Sequence, residues 1–137
     1  MKFTTLMLAD HANVAEGLLY INGGCVNFIT RSEFPAPLGA MLAAAISVPV
    51  ESFGHPMDFK LTMTAVGEEE PIVQIGGQFT ADVKDDAEKL PFANSFVVDL
   101  RAAPIPAEGN YVITASVGDA TDQIYLTARL IQPEDAP

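Results

Sequence analysis

From position 57 to position 64 the chain alternates without a fault: Met57, Phe59, Leu61 and Met63 are apolar, and Asp58, Lys60, Thr62 and Thr64 are polar. Successive side chains of a β-strand point to opposite faces, so a period of two describes a strand with one face buried and one in water. A helix would need its apolar residues three to four positions apart.

Comparable segments recur along the chain. Residues 2–9, 17–21, 25–30, 38–50, 57–66, 72–81, 90–100, 110–117 and 124–131 each read as a strand, and turn residues stand between them. Asn22-Gly23 is the strongest short hairpin signal, because a type I′ turn needs positive φ at both central positions. Residues 38–50 are rich in alanine, which leaves helix as an alternative. Gly39, Ser47, Val48 and Pro49 argue for strand instead. Gly76-Gly77 inside a strand predicts a bulge or a close approach. About eight to nine strands with regular turns predict an all-β, Ig-like antiparallel β-sandwich, in one domain over 1–137 with a short acidic tail from 132. Pro106-x-x-Gly109-x-Tyr111 opens the strand at 110 and predicts a tyrosine corner, the Tyr111 hydroxyl bonding back to the preceding connection.

Charge narrows the function. The formal net charge is −11, and most of the negative charge falls after Val50. Such a surface repels phosphate backbones and anionic lipid, so neither nucleic acid nor membrane is expected as a partner. The apolar run at 3–9 is short and contains Thr4 and Thr5, so it reads as a strand and not an export signal. The expected location is the cytoplasm, or a virion if the chain is phage-encoded. Residues 34–50 carry no charge at all. Such a stretch is either a strand buried on both faces or part of a subunit interface.

The segments Leu6-Met7-Leu8-Ala9-Asp10, Ala12-Asn13 and Gly17-Leu18-Leu19-Tyr20-Ile21-Asn22-Gly23-Gly24 resemble the opening of an uncharacterised family of short bacterial and phage proteins. The corner at Pro106–Tyr111 and the hairpin after it resemble that family's close. The resemblance implies an Ig-like sandwich and brings no activity and no site residues. Glu16-Gly17-Leu18 departs from the family pattern by lacking a basic residue before the leucine.

Catalytic signals are sparse. His11, His55 and Cys25 have no zinc-ligand spacing, and no Gly-x-Ser-x-Gly elbow, phosphate loop or His-Glu-x-x-His occurs. Cys25 is expected to pack as a small buried apolar side chain. If strand direction alternates, the loops at 22–23, 51–56, 82–89 and 118–123 share one end. That end would gather carboxylates, with Asp82, Asp85, Asp86, Asp119 and Asp122 as candidate calcium ligands, since calcium wants six to eight oxygens. A solvated acidic rim explains the same residues more simply. An acidic inhibitor that mimics nucleic-acid charge is a further alternative.

The expected function is a non-catalytic interaction or assembly module, forming a homo-oligomer or binding another protein such as a phage particle subunit. The expected interface uses Met41, Leu42 and Ile46 of the uncharged stretch, with Ile72 and Ile75.

Overall fold

The computed structural model describes residues 1–81 and 92–132. The described residues form eleven strands: β1 (Lys2–Ala15), β2 (Leu18–Gly24), β3 (Phe28–Arg31), β4 (Ala36–Pro37), β5 (Met41–Val48), β6 (Met57–Ala65), β7 (Val73–Phe79), β8 (Phe92–Asp99), β9 (Pro104–Ile105), β10 (Gly109–Val117) and β11 (Ala120–Leu130). The only helical turn among the described residues is a 3₁₀ turn, Val50–Ser52. The first sheet has the order β2-β1-β5-β8, the second the order β3-β11-β10-β6-β7, and β4 and β9 form a small pair. All pairings are antiparallel except β3 with β11, which is parallel.

The core lies between the two main sheets. Leu8 and Leu42 of the first meet Leu61, Met63, Ile113 and Leu126 of the second, and all are fully buried or nearly so. Burying one such side chain contributes roughly 1.5–3 kcal/mol. A smaller cluster of Ile46, Val48, Phe53 and Val117 closes one end. Phe96 reaches into it and meets the rings of Phe3, Phe59 and Phe79 edge-on or tilted.

The first sheet is not the flat layer of the expected Ig-like sandwich. It is a curled half-barrel, in which β2 returns toward β8 across the two strands that separate them. Its composition allows this. Ala9, Ala43, Ala44 and Ala45 are all buried, and short side chains leave room for strands to bend toward each other.

Residues 38–50 are not a helix. Their middle forms β5, the central strand between β1 and β8. Its residues from Leu42 to Ile46 are buried on both parities, so the lack of charge reflects burial on two faces.

The first hairpin differs from the sequence reading. β1 does not stop at Ala9 but runs to Ala15 in unbroken register with β2. The turn falls at Glu16-Gly17, with φ of 52° and 77°, the two positive values a type I′ turn requires. Asn22-Gly23 lies inside β2, where Asn22 pairs with His11. Gly23 has φ 64°, and a Cβ there would stand 2.6 Å from the Asp10 carboxylate, so glycine is required for a close approach and not for a hairpin.

Gly76-Gly77 forms no bulge. The register of β7 on β6 runs without a shift from Met57↔Phe79 to Met63↔Val73.

Candidate functional site

The predicted calcium ligands divide. Asp82, Asp85 and Asp86 lie outside the described residues. Asp119 and Asp122 sit at the β10–β11 turn, both exposed, and Asp122 accepts a hydrogen bond from the backbone N–H of its neighbour Gln123 at 2.8 Å. The turn does share an end with the 3₁₀ segment: Gly118 N–H donates to the Asp58 backbone carbonyl, and Val117 and Ala120 pack in one cluster with Phe53. Asn22-Gly23 is not at that end, because β2 pairs with the far half of β1. Among the described residues no three His, Cys, Asp or Glu side chains come close enough to hold a metal.

The predicted interface residues also divide. Leu42 and Ile46 are 0 % exposed and belong to the core, so neither can meet a partner in the folded chain. The sequence left both alternatives open for the uncharged stretch, because a central strand buried on both faces and an interface strand have the same composition. Met41, Ile72 and Ile75 are half-buried, Ile72 and Ile75 against the main core.

Cys25 is exposed, not buried. It has φ 61° and stands where the chain leaves the first sheet for the second. That crossing is tied down on both sides: Val26 N–H donates to the Leu8 carbonyl, and Thr127 N–H donates to the Asn27 carbonyl. Two hollows meet at Cys25–Asn27. One, of about 210 Å³, is lined by Leu6, Met7, Leu8, Ile124 and Tyr125. The other, of about 430 Å³, has Asp10, Thr30 and Arg31 on its wall. Arg31 is committed to the fold there. Its guanidinium donates to the carbonyls of Thr30, Pro37 and Leu38 at 2.8, 3.2 and 2.7 Å.

The outer face of the second sheet is the most distinctive surface. Tyr111, Ile113, Ala115 and Val117 of β10 point to the core, which turns Asn110, Val112, Thr114 and Ser116 outward. Ile29 of β3 and Leu126 and Ala128 of β11 are likewise inside, which turns Phe28, Tyr125 and Thr127 outward. The registers then build three cross-strand rows. Gln74, Thr62, Thr114 and Gln123 form one; Thr64, Val112 and Tyr125 the next; Asn110, Thr127 and Phe28 the third.

No acidic or basic residue lies in these rows, on a chain of net charge −11. Two large aromatics stand open on them, Phe28 at 56 % and Tyr125 at 59 % exposure. Their neighbours are already ordered: the Thr127 hydroxyl donates to Asn110 Oδ1 at 2.8 Å, and the Gln123 amide donates to the Tyr125 hydroxyl at 3.0 Å. Lys60 beside Ser116 and Arg129 beside Thr30 flank the rows in register, and the Glu108 carboxylate, which accepts from the Leu130 N–H at 2.6 Å, stands at the same margin as Arg129.

Alternation in β6 already implied which of its residues face out. Phe28 and Tyr125 were not recoverable in this way, because a parallel partner for β3 leaves no local signal.

The match to known proteins is narrow. A family described only as a family of unknown function (DUF6941) matches residues 4–127. No curated protein and no solved structure matches. No helix among the described residues is long and apolar enough to cross a membrane.

Proposed function

We propose that this chain, which belongs to the DUF6941 family, is a non-catalytic protein-interaction module that docks a partner protein on the outer face of its second sheet. The observation that carries the reading is the pair Phe28 and Tyr125, open on three rows of uncharged side chains. Interface centres are depleted in charge and enriched in aromatic residues, and exposed aromatic anchors supply much of the binding energy. Thr and Asn around them give hydrogen-bonding groups at little cost in side-chain freedom. Lys60, Arg129 and Glu108 at the margins favour a partner whose rim carries both signs of charge or none.

The experiment is site-specific photo-crosslinking in the native host, with the probe at position 28 or 125 and a control probe at the exposed turn residue Glu68. A discrete adduct of higher mass from positions 28 and 125, absent from 68, is the expected result. Adducts of equal yield at all three positions, or none at 28 and 125, would overturn the reading.

A further inference from the structure

We propose that β7 is a dimerisation strand: its free edge pairs antiparallel with β7 of a second copy, centred on Gly76, joining two five-stranded sheets into one. The inference rests on other observations than the partner face proposed above, although Gln74 lies at the margin of both.

β7 closes one side of the second sheet, and among the described residues no strand pairs with its outer edge. An open edge offers unpaired N–H and C=O groups to any passing strand, so natural sheets guard their edges with charge, proline, bulges or shortness. The other edges here carry such guards. β3 is only four residues long, and the edges of β2 and β8 are drawn toward each other by the curl of the first sheet, β2 ending beside left-handed Gly23 and Cys25. β7 has none of them. It is seven residues of Val73-Gln74-Ile75-Gly76-Gly77-Gln78-Phe79, without charge, proline or register shift.

Nothing among the described residues requires its two glycines. Neither Gly76 nor Gly77 has positive φ. A Cβ at Gly77 would meet nothing within 4 Å, and one at Gly76 would only touch the Phe59 carbonyl at 3.8 Å, an ordinary contact. Glycine inside a strand marks a bulge, a bend or a place where another backbone comes close, and the unshifted register of β7 excludes the bulge and favours the close backbone.

Symmetry and charge identify that backbone as a second copy. A two-fold antiparallel pair must set one residue opposite itself. With Gly76 there, Gln74 faces Gln78 of the other copy, Val73 faces Phe79 and Ile75 faces Gly77. Polar meets polar on the outer side, apolar meets apolar on the core side, and no like charges oppose each other. Two chains of net charge −11 repel across most of their surfaces, so self-association needs an uncharged seam of this kind. A two-fold axis normal to the sheet also leaves both outer faces on the same side.

The test is the solution mass of the full chain by size-exclusion chromatography with light scattering. The expected mass is twice the 14.6 kDa of one chain. The double variant Gln74→Lys/Gln78→Lys places lysine opposite lysine across the seam, and its mass is expected to halve while its circular dichroism is unchanged. A variant with Cys25→Ser, Gln74→Cys and Gln78→Cys gives a check that does not depend on affinity. The two new thiols of one chain are about 13 Å apart along the strand, beyond the reach of a disulfide. Oxidation should therefore link chain to chain and give a covalent dimer on a non-reducing gel. A wild-type monomer throughout the concentration range overturns the proposal. So does a dimer whose mass the lysine pair leaves intact, or a failure of the cysteine variant to cross-link.

Discussion

The phenolic hydroxyl of Tyr111 donates a hydrogen bond to the carbonyl of Ala107, four residues back, and accepts a longer one from the Ala107 N–H at 3.4 Å. The ring is buried among core residues while its hydroxyl reaches the connection before β10. One side chain thus fixes both the start of a central strand and the path of the chain into it. Tyr111→Phe keeps the ring and removes the bond. The expected loss is about 1 kcal/mol, the usual net value of one such bond. Denaturant unfolding should show a lower midpoint with an unchanged slope, since the surface exposed on unfolding stays the same.

At the β1–β2 turn, Glu16 holds φ 52° without the side chain that favours it. A left-handed conformation costs an ordinary L-residue roughly 1–2 kcal/mol, and asparagine less. Glu16→Asn is therefore expected to stabilise the protein by about 0.5–1 kcal/mol. Gly23→Ala should do the opposite and lose more, because it adds a Cβ against the Asp10 carboxylate as well as backbone strain. Thermal melts of both variants beside wild type check the two signs.

That pair of residues also explains what the sequence could and could not reveal. Asn-Gly is read as a hairpin because both residues tolerate positive φ, and Gly23 does use that freedom. What it serves is a close approach to Asp10, a tertiary demand with no local mark. Glu-Gly, the actual turn, advertises only one of its two positive φ values. The alternation of β6 and the corner at Tyr111 were legible because each is enforced by neighbours in the chain. The curl of the first sheet and the parallel seating of β3 on β11 were not, since both depend on pairings far apart in sequence. The same limit hid the candidate face, which exists only once Phe28 is placed beside Thr127 and Tyr125 beside Val112.

Leu42 separates a core role from an interface role. It is fully buried, with Leu8 and Val98 as its partners in register. Leu42→Ala should cost about 2–5 kcal/mol, the range for truncating a core leucine and leaving a cavity. A loss near zero in chemical denaturation would mean that the side chain is not in the core. Ala44→Leu, two residues along and also buried, should be destabilising too, by about 1–3 kcal/mol through overpacking.

The ion pair at the end of β8 gives the pH prediction. The Asp99 carboxylate accepts hydrogen bonds from Arg101 Nε at 2.9 Å, Nη2 at 2.8 Å and the Arg101 backbone N–H at 3.0 Å. The guanidinium bonds, and after them the backbone bond, hold the Asp99 pKa down to about 2 from an ordinary 3.8. A carboxyl whose pKa is lower folded than unfolded stabilises the native state above its unfolded value. That contribution disappears as pH falls from about 4 toward 2. Both side chains are exposed, so solvent and salt screen the pair and its share of total stability is small. The titration itself is the sharper readout. Carboxyl-carbon NMR should place the Asp99 midpoint near 2 in the wild type. In Arg101→Ala the midpoint should rise but stop short of the ordinary value, because the backbone N–H still donates. Arg101→Lys, which keeps the charge and loses the paired bonds, should fall between the two. An Asp99 midpoint that is the same in all three proteins would show that the pair does not persist in solution.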